Sequence, residues 1–136
     1  MKLNTYVNFA GTCEEAFQFY EKHLAAKTLS IFRWSGMPDA AKHTPPGMEN
    51  KVLYGRLEVG ETQLMAADVP GAEPMRSAYL TLTVDGSAEA ERIFAALSVG
   101  GQVTMKMEET FFAHRFGQVR DKFGILWMII HQKPMV

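Results

Sequence analysis

The side chains able to do chemistry are few and scattered. The four histidines, His23, His43, His114 and His131, show neither the HxH nor the HxxxH spacing that brings two imidazoles to one metal ion. His23 follows Lys22 on a helical stretch and faces solvent, His43 lies in a Pro/Gly-rich segment, and His131 ends the last strand. His114 adjoins Arg115 in a strand whose outward set reads His114, Phe116, Gln118 and Arg120. Cys13 falls in the first turn of a helix, where the dipole lowers a thiol pKa. A nucleophile also needs a base in reach, and no sequence neighbour supplies one. Cys13 therefore reads as a small, partly buried residue.

Among the polar side chains, Glu109, Arg115 and Tyr79 are the candidates for meeting a ligand. Such an arginine either binds a carboxylate or other anion bidentately or pairs with a glutamate and stiffens the sheet. Met65, Met105, Met107 and Met128, four of nine methionines, give an adaptable apolar lining or core. Trp127 and Ile129 share a strand face and read as core under a helix, whereas Phe32 and Trp34 suit core or pocket wall equally. No glycine-rich strand–loop–helix is present to cradle a nucleotide, so no cofactor is expected.

Composition narrows the classes further. Fourteen basic and fifteen acidic residues leave a net charge of −1 with no Lys/Arg cluster, which argues against nucleic acid as partner. At 47% hydrophobic over 136 residues the chain can bury one core, yet no stretch is long enough to span a bilayer. The first residues lack the apolar run of an export signal, and a lone cysteine excludes an intrachain disulfide. A cytoplasmic setting is expected.

The elements that must position these residues follow from periodicity. Residues 3–10 read as a strand ended by Gly11. Thr12 and Glu15 form a capping box for a helix whose buried face is Ala16, Phe17, Tyr20 and Leu24. A strand over 28–34, a long loop over 35–50, and a hairpin of Val52–Val59 and Thr62–Asp68 turning at Gly60-Glu61 follow. After the linker VPGAEP the order restarts. Residues 78–84 alternate as a strand; Ser87 caps a helix with Ala90, Ile93, Phe94 and Leu97 inward; Gly100-Gly101 stops it. Strands over 102–107, 112–120 and 125–131 close the chain. The halves superpose at an offset of about 74 positions, pairing Thr5 with Tyr79, Glu15 with Glu89 and Tyr20 with Phe94. The expected fold class is α+β, one domain over 1–136, with modules of about 1–70 and 75–136.

Several motifs carry a family resemblance: Phe9-x-Gly11-x-x-x-Glu15-Ala16-x-x-Phe19-Tyr20, Leu64-Met65-Ala66-x-Asp68, Gly100-Gly101-x-Val103-Thr104-Met105, Glu109-Thr110-Phe111, Arg115-Phe116-Gly117 and Asp121-x-Phe123-Gly124-x-x-Trp127-Met128-Ile129. With these the chain resembles the vicinal oxygen chelate superfamily of glyoxalase I, extradiol dioxygenases and bleomycin-resistance proteins, and within it the PhnB-like, demethylubiquinone methyltransferase-like branch. The resemblance spans nearly the whole chain and implies two βαβββ modules in a cupped mixed sheet with the helices outside. Metal-using members carry four ligands, commonly His and Glu, on the first and fourth strands of both halves. Here those positions fall on Thr5, Met65, Tyr79 and Met128, and a one-residue slip in the first strand puts Tyr6 in place of Thr5. Thioethers and hydroxyls are poor ligands for Mg²⁺, Mn²⁺ or Ni²⁺, so no metal is expected there. A substitute site at His114 with Glu108 or Glu109 is the fallback.

The resemblance thus implies a metal-free protein that binds a small, partly apolar organic molecule, by sequestration as bleomycin-resistance proteins do or for a reaction. A metal-dependent lyase, isomerase or dioxygenase with non-standard ligands is the alternative. The expected pocket residues are Thr5, Met65, Tyr79, Met128, Glu109, Arg115 and His114. A homodimer is expected, because a cupped sheet from so short a chain leaves edges to cover.

Overall fold

The structure, a computed structural model, describes residues 1–134. It is α+β, and its elements run βαβββ twice. The first series is β1 (Thr5–Phe9), α1 (Cys13–Leu24), β2 (Lys27–Arg33), the short α2 (Ala40–His43), β3 (Val52–Val59) and β4 (Thr62–Asp68). The second is β5 (Leu80–Thr83), α3 (Ser87–Ser98), β6 (Gln102–Glu108), β7 (Ala113–Arg120) and β8 (Leu126–Gln132). Helices α1 and α3 begin and end 74 positions apart. The chain divides into two compact units, Met1–Glu73 and the part from Pro74 onward, each holding one series.

Each unit builds one four-stranded mixed sheet, in the orders β1-β4-β3-β2 and β5-β8-β7-β6. The first strand of each series runs parallel to the last, and the remaining pairs are antiparallel. The helix between the first two strands makes that parallel return possible, since parallel strands need a crossover.

Glycines let each helix lie close on its sheet. A Cβ on Gly55 of β3 would come within 3.0 Å of the Phe17 ring of α1, and one on Gly117 of β7 within 2.9 Å of the Phe94 ring of α3. These contacts identify the helix-covered faces. In the first unit that face carries Val7, Phe9, Leu57, Leu64 and Ala66, all buried. In the second it carries Val119, Trp127 and Ile129, with Ala90, Ile93 and Leu97 of α3 against them. Trp127 and Ile129 are core, as their alternation implies.

A buried aspartate pins each unit. Asp68 Oδ1 accepts from the backbone N–H groups of Gly11 (3.0 Å) and Cys13 (2.9 Å), and Oδ2 from that of Val52 (2.9 Å). Asp121 accepts from the N–H groups of Phe123 and Ile125 and from the Trp127 indole (2.8 Å).

The capping expectations need correction. Neither Thr12 nor Ser87 caps a helix through its side chain. At α1 the Asp68 carboxylate already satisfies the first N–H and complements the positive helix end better than a hydroxyl would. At α3 the cap position is Gly86 in extended backbone, and the Ser87 hydroxyl turns to His131. The segment 35–50 is also more ordered than a plain loop. It contains a 3-10 turn over Trp34–Gly36 and α2, and the Trp34 indole ties it down by donating to the Asp68 carbonyl at 3.0 Å.

Candidate functional site

Pairing register decides what each sheet presents on the face turned away from its helix. In the first unit Tyr6 pairs with Met65 and Asn8 with Ala67, while Thr5 pairs with the buried Leu64. Across the hairpin Arg56 opposes Met65, and across β2 Phe32 opposes Tyr54 and Ser30 opposes Arg56. The helix-free face therefore carries Tyr6, Met65, Tyr54, Arg56, Phe32 and Ser30.

Three of these form an aromatic row across the sheet. The Tyr6 and Tyr54 rings are 6.3 Å apart at 15°, and the Phe32 and Tyr54 rings 6.4 Å apart at 14°. Tyr6 is 49% and Phe32 58% exposed, so the ends of the row are open to solvent. The Tyr54 hydroxyl donates to Met65 Sδ at 3.3 Å. Arg56 is held by two bonds to the Gln63 side-chain oxygen, at 3.2 and 3.1 Å, which leaves its positive charge uncompensated by a carboxylate in that contact. The Ser30 hydroxyl is buried with no hydrogen-bond partner. Burial, then the neighbouring Tyr54 and Cys13, raises the Tyr6 phenol pKa, so Tyr6 is a neutral donor. Such a face can stack a flat apolar body and place a cation beside it.

In the second unit the helix-free face carries Thr81, Met128 and Ile130 with Phe116 and Gln118, by the pairs Thr81–Met128, Phe116–Ile130 and Gln118–Met128. Tyr79 lies one residue before β5 and is 37% exposed.

The expected pocket residues separate accordingly. Met65 and Met128 sit on helix-free faces. Thr5 does not, because Val7 and Phe9 take the buried positions of β1; Tyr6 stands beside Met65 instead. Arg115 also turns the other way: it shares the parity of Gly117, and its Nε meets Glu91 of α3 at 3.1 Å. Glu109 pairs with Lys133 at 2.8 Å, which holds its pKa below the usual carboxylate value, Lys133 being the main cause. The arginine–glutamate bridge thus exists, but with Glu91 as its acid. His114 sits at a register shift between Ala113 and Arg115, so the alternation that set it outward with Phe116 breaks there. Cys13 is fully buried; desolvation, then Asp68 and Glu14, pushes its thiol pKa up to about 12, which suits a packing residue.

The sequence reading leaves Tyr54 and Arg56 out of the candidate site and sets Phe116 outward, the side on which it stands. The two-residue turn at Gly60-Glu61 carried the signal for the first two: counting back from it sets Arg56 opposite Met65.

The resemblance puts the ligands of the family's metal-using members, which hold divalent ions, at Thr5 or Tyr6, Met65, Tyr79 and Met128. Tyr6, Met65, Tyr79 and Met128 offer phenols and thioethers where divalent ions of this kind take carboxylates and imidazoles. Among the described residues no three His, Cys, Asp or Glu side chains converge.

Comparison with known proteins shows the family. Protein YjdN of Escherichia coli (strain K12) is 34% identical, with 98% of this chain and 99% of that protein covered. The crystal structure of protein PA1353 from Pseudomonas aeruginosa superposes with a TM-score of 0.86 at 35% identity, covering 98% and 99% of the two chains. A Bacillus cereus PhnB protein, described as a putative 3-demethylubiquinone-9 3-methyltransferase, gives 0.79 at 24%, covering 96% and 99%. Residues 2–129 match the Glyoxalase/Bleomycin resistance protein/Dioxygenase superfamily, and to that superfamily the chain belongs.

Proposed function

We propose that this protein binds a small, partly apolar organic molecule through the helix-free faces of its sheets, without a metal at the family's ligand positions. The observation that carries the reading is the row Tyr6–Tyr54–Phe32 with Met65 and Arg56 beside it. Three near-parallel rings on rigid strands lose little entropy on stacking against a ligand, and methionine adapts to its outline. Arg56, oriented by Gln63, suits an acidic substituent. Met128, Phe116, Gln118 and Tyr79 provide the equivalent lining in the second unit. We place the protein in the cytoplasm, as one domain that pairs into a homodimer; no helix among the described residues is long and apolar enough to cross a membrane.

A thermal-shift screen with small aromatic acids, phenols and neutral aromatics tests the reading, since binding to the folded state raises Tm. Aromatic acids are expected to give the largest shifts, and Tyr54→Ala and Phe32→Ala to abolish them. Shifts that survive both substitutions, or a broad library without any hit, would overturn it.

A further inference from the structure

The fold brings together two histidines that lie far apart in sequence. The His114 and His131 rings have centroids 4.7 Å apart, tilted by 41°. His131 has the parity of Trp127 and Ile129, so it belongs to the α3 side of the sheet, away from Met128 and the proposed ligand face. Its Nδ1 lies 3.1 Å from the hydroxyl of Ser87, the first residue of α3.

We propose that His114 and His131 form a two-imidazole site for a borderline divalent cation such as Zn²⁺, Ni²⁺ or Cu²⁺. Two imidazole nitrogens bound to one tetrahedral ion, each about 2.0–2.1 Å away, place their ring centres roughly 5 Å apart, near the separation found here. Ser87 supplies the outer contact such a site needs. A histidine that binds metal through Nε2 carries its proton on Nδ1 and must donate it, and the Ser87 oxygen accepts it. That contact also fixes the ring's orientation before an ion arrives. Glu109 lies within electrostatic reach of His114 but is held by Lys133 at 2.8 Å, so the two imidazoles are the protein's donors and water completes the shell. The charges around the pair are otherwise matched, Arg115 by Glu91 and Lys133 by Glu109. Imidazole donors select borderline ions over Mg²⁺. The site is independent of the family's metal positions and of the ligand proposed above.

Calorimetric titration of the full chain with ZnCl₂ or NiCl₂ tests it, with MgCl₂ as control. One equivalent per chain is expected, reversible by EDTA, lost in His114→Ala and in His131→Ala, and retained in His23→Ala. Ser87→Ala should weaken it by roughly tenfold or more. Substoichiometric Cu²⁺ added to the unmodified protein should broaden the NMR signals of these two imidazoles before those of His23 and His43. That measurement stands even where a variant fails to fold. No heat with Zn²⁺ or Ni²⁺, binding that survives both substitutions, or uniform broadening of all four histidines would overturn the assignment.

Discussion

Phe94 lies so close over Gly117 that a methyl group there would sit 2.9 Å from its ring and 3.2 Å from the Met107 Cα. Gly55 under Phe17 repeats the arrangement in the first unit, but its close neighbours are all side-chain atoms, which can move. Gly117→Ala is therefore expected to cost about 1–3 kcal/mol by overpacking, and Gly55→Ala less. Gly101→Ala should be worse than either, because its Cβ would collide with the Arg120 carbonyl, a backbone atom. Chemical denaturation of the three variants checks the order Gly101, Gly117, Gly55.

Asp68 joins the end of β4, the start of β3 and the first turn of α1 through three backbone N–H groups. Asp68→Ala strips the partners from donors in a buried place, at about 1–3 kcal/mol for each group left unpaired. Asp68→Asn should also destabilise, since its amide must turn an NH₂ toward at least one of those donors. Both variants should lower Tm by several degrees. An unchanged Tm for Asp68→Asn would mean that the three bonds contribute little.

The element order was legible in the sequence because each periodic signal agreed with its neighbours. The hairpin of β3 and β4 shows both bounds as read, since Gly60-Glu61 fixes the turn. The helix offset likewise survives in the structure. The site was less legible because facing depends on register and on distant partners. Asn8 and Thr5 alternate equally well in either phase, and only the packing of Val7 and Phe9 under α1 decides that Tyr6 is open. The turn of Arg115 toward α3 follows from Gly117, whose role needs Phe94 in place. Thr12 carries a cap pattern, but the capping atom comes from Asp68, 55 positions from Cys13. Spacing could not join His114 to His131, which come from different strands.

Arg115 should matter to helix docking rather than to ligand binding. Its bridge to Glu91 is more than a third exposed at both side chains, so water screens it. Arg115→Leu and Glu91→Leu should each change stability by less than about 1 kcal/mol, and a double-mutant cycle should give a coupling of roughly 0.2–1 kcal/mol. Ligand-induced thermal shifts should persist in Arg115→Leu and diminish in Arg56→Leu. The opposite pattern would restore Arg115 to the pocket.

Cys13 makes stability fall at alkaline pH. Its thiol pKa rises from 9.0 to about 12 in the folded chain, so between those values the unfolded state has lost the proton that the folded state keeps. Fewer protons bound in the unfolded state means that stability decreases as pH rises. The contribution is fully present below pH 9 and lost progressively up to about pH 12. Lysines and tyrosines titrate in the same range, so the comparison to make is with Cys13→Ala, which keeps those groups and removes only the thiol. Its cavity cost is independent of pH. The difference in unfolding free energy between the two proteins should be flat from pH 6 to 8, then shift by roughly 2.5–3 kcal/mol in favour of the variant by pH 11. Parallel curves across that range would show that the thiol ionises as easily folded as unfolded, and that Cys13 is not shut away beside Asp68.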